Sequence, residues 1–274
     1  EEEIEPPRPI SAANGDIDVR EAMDEAIRRE HTHTRGISCE RMLVLHVRSP
    51  SVPTLDFVDL PGLRAIAKKD EPADTPEQTK KLITHFVENH KQHAVFVLVV
   101  PASTDPGVAP IMTIVRDHQL QAQSIGVFTK CDDLADKKIK KELGSRLASS
   151  HGVAYGWIAS MNDSDAVVED MPDLSAVQRL EEQARREVAW LSSRLTSVEL
   201  QSRLGCNALI SRMNEAFMRY IKDTWAPQAL LRLMCEGKRL EGQLAMLGEP
   251  PLLDEKPPDD VLKLIHERAV DILH

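Results

Sequence analysis

Apolar and polar residues follow two periods along this chain, and the periods predict an alternating series of strands and helices. Short apolar runs predict strands over residues 42–47, 54–58, 94–100, 124–128 and 155–160. Apolar residues at helical spacing predict helices over residues 18–30, 75–89, 108–117, 136–149 and 175–194. Because strands and helices of this length alternate, we expect an α/β fold with a mainly parallel sheet flanked by helices.

Local patterns refine the expected sheet and the tail that follows it. The run over residues 94–100 (A-V-F-V-L-V-V) lacks polar alternation, which predicts a central strand covered on both faces. A short connection over residues 49–53 predicts a hairpin between the first two strands. After residue 195 only the helical pattern continues, and Pro227 is expected to break or kink it because proline lacks a backbone donor.

Two of the predicted strands run into polar motifs at their carboxyl ends. The strand over residues 54–58 leads into D-x-x-G at residues 59–62, and the strand over residues 124–128 leads into T-K-x-D at residues 129–132. Ligands of parallel α/β sheets bind at the carboxyl ends of the strands. We therefore expect both motifs to face the same ligand.

The residue types of the two motifs suit the two ends of a guanine nucleotide. Asp59 can hold Mg²⁺ through a water, and the backbone N–H of Gly62 can approach a γ-phosphate because no Cβ obstructs it. The stem of Lys130 can lie along the purine, while the carboxylate of Asp132 can accept hydrogen bonds from guanine N1–H and N2–H₂ together. Each motif alone could be a plain turn, but both in this order favour GTP binding.

The sequence around these motifs resembles the dynamin superfamily of large GTPases. The resemblance is carried by residues 35–38 (R-G-I-S), 45–50 (L-H-V-R-S-P), 58–63 (V-D-L-P-G-L), 100–105 (V-P-A-S-T-D) and 125–132 (I-G-V-F-T-K-C-D). Residues 155–157 (Y-G-W) and 162–164 (N-D-S) lie where that family has an aromatic-rich strand and an Asn-x-Ser turn. The resemblance extends from about residue 17 to the last residue.

The resemblance implies a P-loop GTPase-like G domain, here incomplete, that binds GTP and Mg²⁺. It assigns Gly62 to catalysis, Asp59 to Mg²⁺ through water, and nucleotide binding to Asp59, Gly62, Thr129, Lys130, Asp132, Asn162 and Ser164. Asp163 departs from the basic residue usual in the family, and Asn-Asp-Ser clusters are also ordinary turn formers, so both interpretations of this turn stay open. Cys131 replaces an aliphatic residue and is expected to be a small apolar filler.

The resemblance also divides the chain and implies partners. Residues 1–225 correspond to a partial G domain, residues 226–248 to the bundle-signalling helix and residues 249–274 to the start of the stalk. It implies self-assembly through the G domain and the stalk. It further implies a cytoplasmic protein peripherally associated with a membrane, where it acts in fission or remodelling, and it implies microtubule binding.

Charge and composition exclude several other classes. The formal net charge of −10 argues against a nucleic-acid partner. No apolar run approaches the roughly 20 residues of a membrane-spanning helix, and no signal peptide is visible. Neither a zinc ribbon nor a disulfide framework is expected, because no C-x-x-C pair occurs among Cys39, Cys131, Cys206 and Cys235. Solvated surface is expected, rather than a metal site, at His31 and His33 and at His85, His90 and His93.

A G-x-x-x-x-G-K-[S/T] loop, which would cradle the β- and γ-phosphates, does not occur in the 274 residues. The Gly237–Lys238 pair lacks the upstream glycine, and no switch I threonine is clear. Because the chain begins with Glu, we expect a piece of a longer GTPase, inactive by itself. The alternative is a degenerate, non-hydrolysing scaffold or interaction protein. A different P-loop class fits less well, because it explains neither residues 35–38 nor Pro227.

Overall fold

The computed structural model describes residues 21–29, 42–46, 55–69, 71–162, 170–171, 174–248 and 262–263. The chain divides into two compact units between Ala216 and Phe217. The first unit contains a three-stranded parallel sheet with the order β1-β2-β3. Its strands are β1 (Phe96–Pro101), β2 (Ser124–Thr129) and β3 (Trp157–Ala159). The predicted α/β class with a parallel sheet is confirmed.

The helices lie close to the predicted positions. The α-helices of the described residues are α1 (residues 21–29), α2 (Thr75–His90), α3 (Pro110–Asp117), α4 (Asp136–Lys138), α5 (Gly144–Ala148), α6 (Ala176–Arg194), α7 (Cys206–Tyr220) and α8 (Ala226–Leu247). A π-helical segment, Ile139–Leu143, joins α4 to α5. Short 3₁₀ turns occur at Pro106–Val108, Gln121–Gln123, Cys131–Asp133 and Val198–Arg203. No helix in the described part of the chain combines the length and apolarity needed to span a bilayer.

The start of α6 follows directly from its sequence. The side chain of Ser175 accepts a hydrogen bond from the backbone N–H of Gln178, and the side chain of Gln178 accepts one from the backbone N–H of Ser175. This reciprocal capping box satisfies backbone donors that the first turn of a helix leaves without intrahelical partners. It fixes where α6 begins.

The core of the first unit is built around β2. On one face of the sheet, the buried side chains of Phe128 and Trp157 pack among apolar residues of α2, α3, α5 and α6. On the other face, Ile125 and Ile158 pack with Ala216 of α7. Helices therefore cover both faces of β2, which is the central strand of the described sheet.

The position of β1 differs from the prediction. β1 is an edge strand, and Val97 and Val99 remain 37% and 61% exposed. They pair in register with Ile125 and Val127 of β2. Their side chains therefore lie on the same face of the sheet as Ile125, which α7 covers. The prediction of a central strand covered on both faces is wrong, because the described residues leave this face of β1 open.

The described residues also lack the two strands predicted before β1. Residues 42–46 and 55–60 run without helix or strand, and Phe57 is 74% exposed. A strand depends on hydrogen bonds from a neighbour, and the free edge of β1 pairs with no strand in the described ranges. Among described residues 42–46 and 55–69, the side chains that pack against the core are Leu60 and Leu63. The predicted hairpin over residues 49–53 lies outside the described residues.

Pro227 disturbs the helical tail without ending it. A π-helical turn, Ile221–Trp225, leads from α7 into α8, and Pro227 occupies the first turn of α8. Proline cannot donate to the carbonyl four residues earlier and crowds it, and a wider π turn accommodates both effects. The Gly237–Lys238 pair lies inside α8 and not in a phosphate-binding loop.

Replacing Gly126 by alanine tests the packing of the sheet. A Cβ at Gly126 would lie 2.2 Å from Cδ2 of Trp157, whose buried ring stacks on Phe128 at 4.5 Å between centroids. We expect Gly126→Ala to lower the free energy of unfolding by about 3 kcal/mol in urea denaturation, because the ring has no room to move. The control is Gly144→Ala in α5, where the nearest atom, Cδ2 of Leu195, is 3.4 Å away. Equal stability of Gly126→Ala and wild type would contradict this packing.

Candidate functional site

The three strands end at one edge of the sheet, and hydrogen bonds tie the following loops together. After β1, the backbone N–H of Ala102 donates to the carbonyl of Thr129 at 2.8 Å. After β3, the N–H of Ser160 donates to the carbonyl of Phe128 at 2.8 Å, and the Ser160 carbonyl accepts from Cys131 at 3.4 Å. The loop after β2 is thus held between the other two.

The T-K-x-D motif forms a sharp turn at the carboxyl end of β2. Lys130 adopts the left-handed conformation, with φ 54° and ψ 42°, and caps the 3₁₀ turn Cys131–Asp133. A lysine in this region is strained, and such strain is concentrated at functional sites. The turn leaves Lys130 and Asp132 exposed while Thr129 stays half-buried. The side chains of Lys130 and Asp132 are therefore accessible to a ligand, and the backbone that carries them is rigid.

The buried side chain of Cys131 anchors this turn to the core. Its side chain is fully buried, and its Sγ donates to the carbonyl of Phe128 at 3.4 Å. Burial raises the pKa of the Cys131 thiol to about 12 from an ordinary value of 9.0. The expectation that Cys131 fills apolar space is confirmed. Its side chain fixes the backbone between two exposed polar residues.

The loop after β3 brings Asn162 to the same edge. Asn162 is exposed, and its Oδ1 accepts a hydrogen bond from Nε2 of Gln183 in α6 at 2.7 Å. Asp163 and Ser164 lie outside the described residues, so the predicted Asn-x-Ser turn is seen only at its first residue. Thr129, Lys130, Asp132 and Asn162 are the predicted site residues that the structure brings to this edge.

A half-buried arginine holds the loop after β1. Nη1 of Arg146, from α5, donates to the carbonyls of Ala102 and Thr104 at 2.8 and 3.4 Å. Its guanidinium also lies 3.7 Å from the carboxylate of Glu142. Each of the three loops at the edge is therefore held by a helix or by a neighbouring loop.

Asp59 and Gly62, the predicted phosphate and Mg²⁺ residues, have a different environment. Both are exposed, and both lie in residues 55–62, which form neither strand nor helix. The position of a Cβ at Gly62 is open space. A single exposed carboxylate can serve Mg²⁺ only together with waters and phosphate oxygens. Their roles in catalysis and in metal binding stay predictions.

A buried carboxylate that the sequence analysis missed supports this edge. Glu187 is 2% exposed, between Ala184 and Leu191 on the face of α6 that packs on the core. Its Oε1 accepts from Oγ of Ser160 at 2.7 Å and from the N–H of Met161 at 3.0 Å. A charged residue within an apolar helical stripe was the signal that could have pointed to it.

His85 and His90 belong to α2, and His93 follows it closely. His85, His90 and His93 are exposed, Nδ2 of Asn89 donates to Nε2 of His85 at 2.9 Å, and the ring of His90 stacks on Phe86. The predicted solvated surface is confirmed for these three, and His31 and His33 lie outside the described residues. Within the described ranges, no group of three or more His, Cys, Asp or Glu side chains could hold a metal ion.

Curated proteins similar to this chain include dynamins, a dynamin-like protein and GTP-binding Mx proteins. No protein-family model matches it. It is 26% identical to Dynamin-B of Dictyostelium discoideum over 91% of this chain, and 26% identical to Dynamin-1-like protein of Mus musculus over 93%. It is 32% identical to interferon-induced GTP-binding protein Mx2 of Rattus norvegicus over 42%. The chain spans 26%, 32% and 18% of the lengths of these curated relatives.

The parallel sheet, the T-K-x-D loop at its carboxyl edge and the helical segment that follows are those of a partial G domain. The chain is also similar to dynamins, to a dynamin-like protein and to Mx proteins. This similarity supports membership of the dynamin superfamily and a relationship to dynamin-like GTPases.

The left-handed turn at Lys130 can be tested with a pair of variants. Glycine adopts this conformation without steric cost, whereas alanine retains a cost of about 1 kcal/mol. We therefore expect Lys130→Gly to be more stable than Lys130→Ala by about 1 kcal/mol in chemical denaturation. At Lys138, with helical φ −73° and ψ −37°, the order should reverse. If Lys130→Ala were at least as stable as Lys130→Gly, Lys130 would not be left-handed in solution.

The reactivity of Cys131 tests the burial of the turn. With a pKa of about 12, roughly one Cys131 thiol in ten thousand is ionised at pH 8, so alkylation should be far slower than at exposed Cys235. The neutral buried thiol stabilises the fold fully below pH 9, and this contribution declines as pH rises from 9 to 12. Iodoacetamide labelling with peptide mass spectrometry measures both sites. Equal labelling rates of Cys131 and Cys235 in the native protein would contradict the burial of Cys131. In denaturant, which serves as the control, the two cysteines should be labelled at similar rates.

Proposed function

We propose that this edge of the sheet recognises the guanine base in a dynamin-like GTPase. The observation that carries the proposal is the T-K-x-D turn at the carboxyl end of β2, which holds Lys130 and Asp132 exposed beside the loop of Asn162. The GTP-binding relatives support the same conclusion. GTP would be the substrate, and Mg²⁺ the metal.

Each residue of the edge has a distinct role in this proposal. The aliphatic stem of Lys130 lies along the purine, and the carboxylate of Asp132 accepts from guanine N1–H and N2–H₂. Adenine offers no matching pair of donors and would leave the carboxylate without partners, which strongly disfavours it. Thr129 ends the strand, and Asn162 with Ser164 contacts the base and ribose.

The phosphate end of the nucleotide would be served by residues 59–62. Asp59 would hold Mg²⁺ through a water, and the backbone N–H of Gly62 would donate to the γ-phosphate and help position the attacking water. When bound, Mg²⁺ would neutralise negative charge on the phosphates. Because the 274 residues contain no G-x-x-x-x-G-K-[S/T], we propose that they do not hydrolyse GTP by themselves.

For the whole protein we propose the working cycle of a dynamin-like GTPase. It would assemble with itself through its G domain and stalk, associate peripherally with a membrane from the cytoplasm, and couple GTP hydrolysis to remodelling or fission. Residues 1–225, 226–248 and 249–274 would supply part of the G domain, the bundle-signalling helix and the start of the stalk. The dynamin relatives support this proposal by family membership.

A second candidate is a non-hydrolysing scaffold. The observation that favours it lies in the second compact unit, where α8 carries exposed apolar residues suited to a partner: Leu230, Leu233, Leu240 and Leu244. The strained turn at Lys130 argues instead for nucleotide binding, because a scaffold would have no use for that strain.

The base preference of Asp132→Asn tests the proposal. In the complete gene product, we expect Asp132→Asn to weaken GTP binding by roughly 100-fold, because an amide can accept from N1–H but presents a donor to N2–H₂. Xanthosine triphosphate has a carbonyl in place of N2–H₂, so its affinity should rise instead. Competition against a fluorescent guanine nucleotide measures both affinities.

The neighbouring Asp133→Asn is the matched control, because Asp133 is also exposed in the same turn. It should leave both affinities unchanged. Equal losses at Asp132 and Asp133, or no reversal of base preference, would contradict guanine recognition by this turn. Absence of guanine-nucleotide binding in the wild type would favour the scaffold.

A further inference from the structure

Glu187 is a buried carboxylate that is fully occupied by donors from two separate elements. An ionised carboxylate in the core is costly unless it is hydrogen-bonded on both oxygens. Glu187 meets this condition with three donors, two on Oε1 and one on Oε2. Because all three groups donate, the site requires an acceptor on both sides, which a carboxylate provides and an amide does not.

The first oxygen holds the loop that follows β3. Oε1 accepts from Oγ of Ser160 at 2.7 Å and from the backbone N–H of Met161 at 3.0 Å. Met161 directly precedes Asn162, and the carbonyl of Ser160 accepts from the N–H of Cys131. Glu187 therefore supports the loops on both sides of the proposed base site while its own side chain stays buried.

The second oxygen holds the start of α7. Oε2 accepts from the backbone N–H of Cys206, the first residue of α7, at 2.7 Å. A carboxylate at a helix N-terminus satisfies a free backbone donor and interacts favourably with the helix dipole. The preceding Gly205 has φ 83°, and a Cβ there would lie 3.1 Å from Oε2. Glycine at this position allows the carboxylate its close approach.

We propose that Glu187 is a positioning residue that couples the base-binding loop to the N-terminus of α7. This inference rests on the proposed guanine site and adds a residue outside the nucleotide motifs. When a base orders the loop of Met161 and Asn162, the shared carboxylate transmits that order to the first turn of α7. Nucleotide binding should therefore protect the start of α7 from opening.

The test compares Glu187→Gln with Glu181→Gln in the complete gene product. Glu181 lies on the same helix but is exposed, so it provides the same substitution without the buried contacts. We expect Glu187→Gln to weaken binding of a fluorescent GDP analogue by about tenfold or more, because one carboxamide oxygen cannot serve donors on both sides. Glu181→Gln should bind like wild type. Measurements are made at a temperature at which all variants are folded.

Hydrogen exchange supplies a readout that loss of stability alone would not move. In wild type and Glu181→Gln, GDP should slow amide exchange at residues 206–209, and in Glu187→Gln at saturating GDP this slowing should vanish. Ser160→Ala, which removes one donor and leaves the carboxylate in place, should keep the slowing and lose less affinity. Unchanged GDP affinity or unchanged slowing in Glu187→Gln would overturn the coupling.

Failure of the wild type to bind GDP would have a different meaning. It would contradict the proposed guanine site and, with it, the role of Glu187 in positioning that site. A wild type that binds GDP alongside a Glu187→Gln variant that binds equally well would instead leave the guanine site standing and remove only the role of Glu187.

Discussion

Hydrogen-bonded pairing of β2 with both of its neighbours is the interaction on which the described first unit depends. Every residue of β2 has a register partner in β1, and Gly126, Val127 and Phe128 also pair with β3. Side chains of β2 supply core contacts on both faces of the sheet. The carboxyl end of the strand is thus fixed by non-local contacts, so the turn at Lys130 begins from a rigid point.

The loops at the edge gain their order from elements outside themselves. Arg146 holds the loop after β1, Gln183 contacts Asn162, and Glu187 holds the backbone before it. These side chains come from α5 and α6. They fix the backbone of the loops, and the polar side chains of the edge stay exposed. Such preorganisation lowers the cost of ordering a loop when a ligand binds.

Local patterns predicted those parts of the structure that depend on local forces. Helical spacing of apolar residues predicted α2 and α6. The apolar run over residues 124–128 predicted β2, which ends at the start of the T-K-x-D motif. The edge position of β1 could not be predicted, because strand order depends on which segments are present to pair. The strand expected over residues 54–58 did not form because it has no pairing partner among the described residues. Glu187 was missed because its partners lie 19 to 27 residues away in sequence.

In the proposed function, the loops after β2 and β3 together recognise guanine. An NMR titration of the isotope-labelled 274-residue chain with GDP, and separately with ADP, tests it most directly. GDP should shift the backbone amides of residues 129–133 and 161–162, while ADP at the same concentration should shift none of them. Equal shifts with both nucleotides, or GDP shifts confined to other regions, would contradict the claim.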